Sequence, residues 1–237
     1  MTMPVKKLAI DPSAAPRVTD AGVAPGMWRR RFKAMLDGVA VVVTSPCALS
    51  CWVETWLSPH AEAFFVFWTN VFAILPGHPG VFLRRAFYRL TLEHCAGKFI
   101  VGFGALFAHR ASRIEEGAYI GAYAIVGSAH LGRGCLIGSR ASLLSGPAPH
   151  QPDGRGGWTA SDPAQWRRIE IGRNAWIGEA AVVMADVGVG SLVAAGSVVS
   201  TPVPPGVVVG GNPARFVRRL SGESNGSRDA DATGGGK

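Results

Sequence analysis

The chain has 237 residues, of which 48% are hydrophobic and 17% charged, with a formal net charge of +8. This composition is typical of one globular domain with an apolar N-terminal extension. Its four cysteines form neither a zinc-type pair nor a secreted disulfide framework, so free thiols and a cytoplasmic location are expected. Nucleic acid is a weak candidate partner, because the basic residues lack a recognised binding module.

The N-terminal part of the chain divides into two segments. Residues 1–26 are rich in proline, alanine and charge, and we expect them to be disordered. They contain no continuous apolar core that would make a signal peptide. Residues 27–98 are predicted to form a helical extension that is both apolar and basic. Two apolar stretches, 38–57 and 61–75, are flanked there by Arg29, Arg30, Arg31, Lys33, Arg84, Arg85 and Arg89.

Neither apolar stretch predicts a clean transmembrane span. The first contains Pro46 and Glu54, and the second contains Glu62 and Asn70 and is shorter than the roughly eighteen apolar residues that a span requires. A basic, aromatic-rich helical segment suits peripheral contact with the inner face of a membrane. The alternative is a helical cap that packs on the following domain or on a neighbouring subunit.

Residues 99–220 repeat an aliphatic or aromatic residue about every six positions. A period of six fits neither a helix nor a two-faced strand, and it predicts a hexapeptide parallel β-helix whose triangular coils each contain three short rungs. A β-sandwich is the alternative, but its strands alternate with a period of two. The repeating residues are Val101, Phe107, Ile114, Ile120, Val126, Leu131, Ile137 and Leu143, then Ile171, Ile177, Val183, Val187, Val193 and Val199.

An insertion at residues 144–170 interrupts this repeat. Loops longer than about twelve to fifteen residues in a compact fold are usually functional or disordered. His150 is the only histidine of the insertion, and histidine is the side chain whose ordinary pKa lies nearest neutrality. On its own, a loop histidine is most often a solvated side chain. After the repeat, residues 221–237 have no apolar periodicity and are expected to form a disordered tail.

Two segments resemble the hexapeptide-repeat acyltransferases. Residues 171–219, with the strings AWIG, AAGSVV and GNPAR, are similar to the end of that superfamily, which includes galactoside and serine acetyltransferases. Residues 75–150, with LIGSRASLLSG, resemble the colanic acid or exopolysaccharide biosynthesis acetyltransferases. The resemblance implies a left-handed β-helix and acetyl-CoA as cosubstrate. It also implies that His150 is the general base that deprotonates an acceptor hydroxyl, which then attacks the thioester directly.

The same resemblance implies roles for residues after the insertion. The backbone N–H of Glu179 would stabilise the oxyanion, although the family often has a small residue there. Coenzyme A would lie in a groove between two subunits of a homotrimer. Thr201 replaces the lysine often found at its position, and Arg215 and Arg218 are equally compatible with a solvated C-terminal helix. The implied cofactor-binding residues are Trp176, Gly178, Ala195 and Gly196 for the pantetheine arm, Ser200 and Thr201 near the adenosine, and Arg215 and Arg218 for phosphate.

A second histidine is a candidate for acceptor binding. His109 and Arg110 follow Phe107, which precedes Leu143 by six rungs, or two full turns of the coil. These residues should therefore share a face with the start of the insertion, about 10 Å away along the axis. A histidine satisfied within a corner of the coil is the alternative.

Several hypotheses about function stay open at this point. The acceptor would be a hydroxyl of a sugar, free or lipid-linked, as in an exopolysaccharide precursor, or of a natural product or another alcohol. A γ-carbonic-anhydrase-like enzyme would need three histidines around a metal, but the rung positions of His109, His130 and His150 do not converge, and no metal is expected. A non-catalytic, membrane-associated scaffold is the remaining alternative.

Overall fold

The computed structural model describes residues 27–145, 152–159 and 167–220. The expected disorder of residues 1–26 and 221–237, and the position of His150, lie outside the described residues. The chain divides into a small unit that ends at Leu36 and a second unit that begins at Asp37.

Three helices precede the β-structure. They are α1 (Met27–Leu57), α2 (Ala63–Ala73) and α3 (Gly77–Thr91). Helix α1 continues through Pro46, which has no backbone N–H to donate to the preceding turn. By length and composition alone, residues 31–57 of α1 are apolar enough to cross a membrane, with a mean hydropathy of 1.6. The sequence patterns predicted helices here but not a single uninterrupted helix of this length.

Sixteen short strands follow within the described residues. Most contain two residues, because each rung of the coil is flat only briefly before the chain turns a corner. The strands are β1 (His94–Cys95), β2 (Ile100–Val101), β3 (Leu106–Phe107), β4 (Arg113–Ile114), β5 (Tyr119–Ile120), β6 (Ile125–Val126), β7 (Ala129–Leu131), β8 (Leu136–Ile137), β9 (Ser142–Leu143), β10 (Ile169–Ile171), β11 (Trp176–Ile177), β12 (Val182–Val183), β13 (Leu192–Val193), β14 (Val198–Val199), β15 (Val207–Gly210) and β16 (Arg215–Arg219).

The strands stack into three sheets, one for each side of a triangular prism. Sheet A has the order β1-β4-β7-β10, sheet B has β16-β15-β13-β11-β8-β5-β2, and sheet C has β14-β12-β9-β6-β3. All pairs except β15 and β16 are parallel, so each strand lies one coil above its predecessor. In sheet C, Phe107 pairs with Val126, and Val126 pairs with Leu143. The repeating residues are buried inside the prism, which confirms the predicted parallel β-helix.

The small residue that follows many repeating aliphatics is required by the next coil. A Cβ atom added to Gly121 would lie 2.6 Å from the backbone nitrogen of Ser139, and one added to Gly138 would lie 2.6 Å from that of Glu179. These glycines have ordinary backbone angles, so glycine is needed there for space. The left-handed conformation occurs at other corner positions, and Ala180 adopts it with φ 55°.

Helices α2 and α3 cap the first coil. Arg84, on α3, is fully buried and donates to the carbonyl oxygen of Val101 at 3.0 Å and to that of Leu75 at 2.8 Å. The Tyr88 hydroxyl accepts the Phe107 N–H at 3.4 Å, and the Gly104 N–H donates to Ala73 at 2.8 Å. Backbone groups of the first coil have no preceding coil to bond to, so they form hydrogen bonds with the helices instead.

The last described segment is a strand, so the alternative of a solvated C-terminal helix for Arg215 and Arg218 is wrong. Strand β16 runs antiparallel to β15, with Arg215 opposite Gly210 and Arg218 opposite Val208. All five side chains of β16 are exposed. The edge of sheet B thus ends in a row of solvent-facing side chains that includes three arginines.

Candidate active site

The insertion leaves the prism at the corner between sheets C and A. We call this the loop corner, and in the described residues it comprises 108–112, 127–128, 144–145, 167–168, 184–186 and 200–202. On its other side, sheet C meets sheet B at the far corner, which comprises 102–105, 121–124, 138–141, 178–181 and 194–197. Each predicted site residue can be placed relative to these two corners.

His109 and Arg110 lie on the loop corner, two coils below the start of the insertion. The β3-β6-β9 register confirms that Phe107 and Leu143 share a sheet. The Nδ1 atom of His109 lies 2.8 Å from the Glu62 carboxylate, and the Arg110 N–H donates to the same carboxylate at 2.9 Å. The Arg110 guanidinium donates to the carbonyl oxygen of Cys51 at 3.1 Å. Their role in acceptor binding stays a prediction.

Glu62 was missing from the sequence-based site. Burial raises the pKa of its carboxyl group, but the hydrogen bonds from His109 and Arg110 and the positive charges of both outweigh burial and lower it. The carboxylate is therefore the stable form near neutral pH, and it holds the His109 ring by one nitrogen. In the sequence, Glu62 is only an isolated acidic residue between two apolar segments. Nothing there pairs it with His109, which lies 47 positions later.

Both ends of the insertion are fixed to neighbouring coils. On entry, the Ser145 hydroxyl accepts the Ser128 N–H at 2.7 Å. On exit, the Arg167 N–H donates to the Ser145 carbonyl oxygen at 3.1 Å, and the Arg167 side chain pairs with Asp186. Arg168 pairs with Glu93, near the beginning of the prism. The two ends thus lie side by side at the loop corner.

A tight turn occupies residues 152–159, in the middle of the insertion. Pro152 and Trp158 form an antiparallel bridge. Between them, the Asp153 carboxylate accepts the N–H groups of Arg155 and Gly157, each at 2.8 Å. These two backbone hydrogen bonds lower the pKa of Asp153. His150 lies outside the described residues, so its relation to this turn stays a prediction.

The predicted cofactor-binding residues do not meet at one place on a single chain. Gly178, Ala195 and Gly196 lie at the far corner with Glu179, whose carbonyl oxygen accepts the Gly196 N–H at 2.8 Å. Trp176 projects from sheet B and is 51% exposed. Ser200 and Thr201, in contrast, lie at the loop corner. A ligand contacting both corners of one chain would have to cross sheet C.

Two predicted residues do share a cavity. Thr201 and Arg215 line a space of about 250 Å³ at the C-terminal end of the prism, together with Pro202, Val209 and Phe216. Within the described residues, the side chains of Arg215 and Arg218 bond only to backbone carbonyl groups, those of Ala214 and Arg219, at 3.3 and 3.4 Å. Carbonyl oxygens do not neutralise the positive charges of these two arginines. Both side chains therefore suit a phosphate-bearing ligand at this end of the prism.

The remaining histidines form no metal site among the described residues. His130, on β7, has Nδ1 2.7 Å from Glu170 and Nε2 3.4 Å from Glu115. It therefore engages carboxylates on sheet A, whereas His109 engages Glu62 at the loop corner. His109 and His130 thus bind different carboxylates on different parts of the prism.

Known proteins give local sequence matches and a match of fold. No protein-family model matches the chain. It is 42% identical over 55 residues to galactoside O-acetyltransferase of Escherichia coli K12, which is 22% of this chain and 27% of that protein. It is 40% identical over 55 residues to the putative acetyltransferase YJL218W of Saccharomyces cerevisiae, or 22% and 28% of the two chains. The matches thus span about a quarter of the length of these curated relatives.

The comparison of structures extends over most of the chain. A maltose O-acetyltransferase from Clostridium difficile 630 superposes with a TM-score of 0.54 and 19% sequence identity, covering 68% of this chain and 87% of that chain. At this identity the likeness concerns the fold. The chain has the left-handed parallel β-helix fold of that structure. The six-residue period predicted a parallel β-helix, and the family resemblance implied its left-handed form.

Proposed function

We propose that this protein is an acetyl-CoA-dependent O-acetyltransferase that acts on a hydroxyl group of a sugar or glycoconjugate, with an exopolysaccharide precursor as the expected acceptor. The observation that carries the proposal is the insertion at the loop corner. Its ends are fixed by Ser145 and Arg167, and its sequence contains His150 five positions after Ser145. The fold is shared with a sugar acetyltransferase. The local identity to a galactoside O-acetyltransferase supports the same reaction.

In the proposed reaction, the His150 imidazole accepts the proton of the acceptor hydroxyl. The hydroxyl oxygen forms a bond to the thioester carbonyl carbon, and the carbon–sulfur bond then breaks. The leaving CoA thiolate takes the proton from the imidazolium, so that no acyl-enzyme forms and the base is regenerated. Glu179 would offer its backbone N–H to the developing oxyanion.

Binding of acetyl-CoA is supported by the exposed arginines of β16. Arg215 and Arg218 would contact phosphate groups, and the cavity beside Arg215 and Thr201 would accept part of the nucleotide end. Trp176, Ala195 and Gly196 would line the pantetheine arm. Since Ser200 and Thr201 lie on another corner, a second subunit is needed to complete the groove, and we propose a homotrimer on this ground.

Turnover of acetyl-CoA with a panel of sugar acceptors tests the proposal. His150→Ala should lower kcat by about two to four orders of magnitude with little change in CoA affinity, because it removes an interaction made mainly in the transition state. His78→Ala is the matched control, since His78 is exposed at the start of α3. Arg215→Ala should instead raise KM for acetyl-CoA with a smaller effect on kcat.

Measurements on these variants and on the wild-type protein also distinguish between the alternative hypotheses about function. Full activity in His150→Ala would move the base elsewhere, with His109 the next candidate. Wild-type protein that binds no CoA by calorimetry would contradict the enzymatic proposal and favour a scaffold. Mass spectrometry of the product identifies which hydroxyl receives the acetyl group.

A further inference from the structure

We propose that α1 lies flat on an anionic phospholipid surface, with one face on the protein and the other in the leaflet. The outward side chains of its second-unit portion recur at helical spacing and form one stripe. We call this stripe the exposed apolar face. It consists of Val39, Val42, Val43, Leu49, Val53 and Trp56, with exposed fractions from 46% at Val53 to 82% at Trp56.

From Asp37 onward, other side chains of α1 bond to α2 and α3. Asp37 pairs with Arg85 of α3, and the Ser50 hydroxyl accepts the Trp68 indole N–H at 3.0 Å. The Glu54 carboxylate accepts the Ala63 N–H at the start of α2 at 2.8 Å. A helix that spanned a bilayer independently would not carry these lateral polar contacts. They favour an arrangement in the plane of the leaflet, where only the outward face meets lipid.

The charges of the helical region suit an anionic surface. Its carboxylates between residues 37 and 75 are Asp37, Glu54 and Glu62, and all three bind partners within the protein. None is therefore left to repel an anionic headgroup. The exposed basic side chain nearest in sequence to this contact is Arg89. Its neighbour Leu90 is held against α1, because the Leu90 carbonyl oxygen accepts the Trp52 indole N–H at 2.9 Å.

The first unit, taken by itself, has the same character. In residues 27–36 the apolar side chains of Met27, Trp28, Phe32 and Met35 are exposed, and Arg31 and Lys33 are exposed among them. Tryptophan and basic residues are both favoured at the membrane interface. Only 22% of the most apolar stretch of α1 is buried within the protein, so a large apolar surface is available for contact with lipid.

Co-sedimentation of the full chain with vesicles tests the proposal. Wild-type protein should bind vesicles of phosphatidylcholine with one quarter phosphatidylglycerol more tightly than vesicles of phosphatidylcholine alone, and salt should weaken the difference. The double variant Val42→Glu with Trp56→Glu should bind at least about tenfold more weakly, because it removes two apolar insertions and adds two repelling charges. The control is Val189→Glu, an exposed valine on the prism, which should bind like wild type.

Other occupants of the face give different results. If wild-type protein fails to bind either vesicle at low salt, the proposal is wrong. A double variant with unchanged vesicle binding but a smaller mass by light scattering would assign the face to a second copy of the chain. Protein that stays with the vesicles after a carbonate wash would indicate a spanning helix and overturn the in-plane arrangement. Acetyl-CoA turnover with a soluble acceptor should be equal in all variants, so this test is independent of the proposed enzymatic function.

Discussion

Glu62 links three parts of the second unit through one side chain. Its carboxylate lies just before α2 and bonds to His109 and to the backbone of Arg110, and the Arg110 side chain reaches α1 through the Cys51 carbonyl oxygen. The Arg110 Nε atom is buried without a hydrogen-bond partner and lies 3.9 Å from Glu62. The charge of Glu62 therefore compensates a buried positive charge as well as orienting a histidine.

We expect this carboxylate to make stability depend on pH. The pKa of Glu62 in the folded protein is lower than its ordinary value of 4.5. The ionised carboxylate thus stabilises the fold above about pH 4.5, and this contribution is lost as the pH falls through the folded pKa. Glu62→Gln should lower Tm clearly at pH 7, and the gap from wild type should narrow as the pH falls below 4.5.

Thermal unfolding from pH 7 to pH 3.5 measures this effect. Glu116→Gln is the matched control, since Glu116 is half exposed and lies 3.9 Å from its partner Arg133. Surface ion pairs of that kind contribute little. A constant gap between Glu62→Gln and wild type at every pH would show that the carboxylate charge is not what stabilises the contact.

At the scale of elements, the corners of the coil have two kinds of position. Gly138 has no room for a Cβ atom, because an added Cβ would lie 2.6 Å from a backbone nitrogen of the next coil, whereas Ala180 carries a Cβ atom in a left-handed conformation. The first position restricts side-chain volume, and the second restricts backbone conformation. Glycine suits both, for different physical reasons.

Substitutions at these two kinds of corner position should change the stability differently. Gly138→Ala must push two coils apart, so we expect a loss of about 1–3 kcal/mol, comparable to an overpacked core. Ala180→Gly relieves the left-handed alanine and should be neutral or stabilise by up to about 1 kcal/mol, since added backbone entropy in the unfolded chain offsets part of the gain. Chemical denaturation of both variants and wild type measures the two differences. Equal destabilisation by both would contradict the distinction.

The cap is the other feature at this scale. Arg84 is buried although it is charged, and burial lowers its pKa. Its carbonyl partners come from the end of α2, the segment that follows and the first strand of sheet B. Such a side chain joins the helices to the prism more specifically than apolar packing alone, because each donor requires one acceptor in one direction.

At the scale of the whole molecule, we predict a homotrimer. The predicted cofactor residues lie at two different corners of one prism, so a groove that uses both needs a second subunit. Light scattering should give a mass near three times the 24.9 kDa of the chain, in mild detergent so that the exposed apolar face does not cause association. A monomer with full acetyl-CoA turnover would contradict the shared site.

The sequence alone determined the prism. Its six-residue period predicted the β-helix, and the break in that period predicted the insertion at 144–170. Among the described residues, β9 ends at Leu143 and β10 begins at Ile169, so the last two residues of the predicted insertion belong to β10. The period predicts the fold because the identity of each repeating residue depends on its own rung and on the rungs directly above and below. Such stacking imposes a period that a single sequence displays.

Tertiary structure decided the rest. The bond between Glu62 and His109 joins residues far apart in the chain, and the buried Arg84 reaches carbonyl groups in other elements. Strand β16 forms because the edge of β15 offers it hydrogen bonds, which the local sequence does not record. The six-residue period also did not show at which corner of the prism each candidate residue would lie, because not every rung is six residues long. These features depend on contacts between distant segments, and a period carries information only about neighbouring coils.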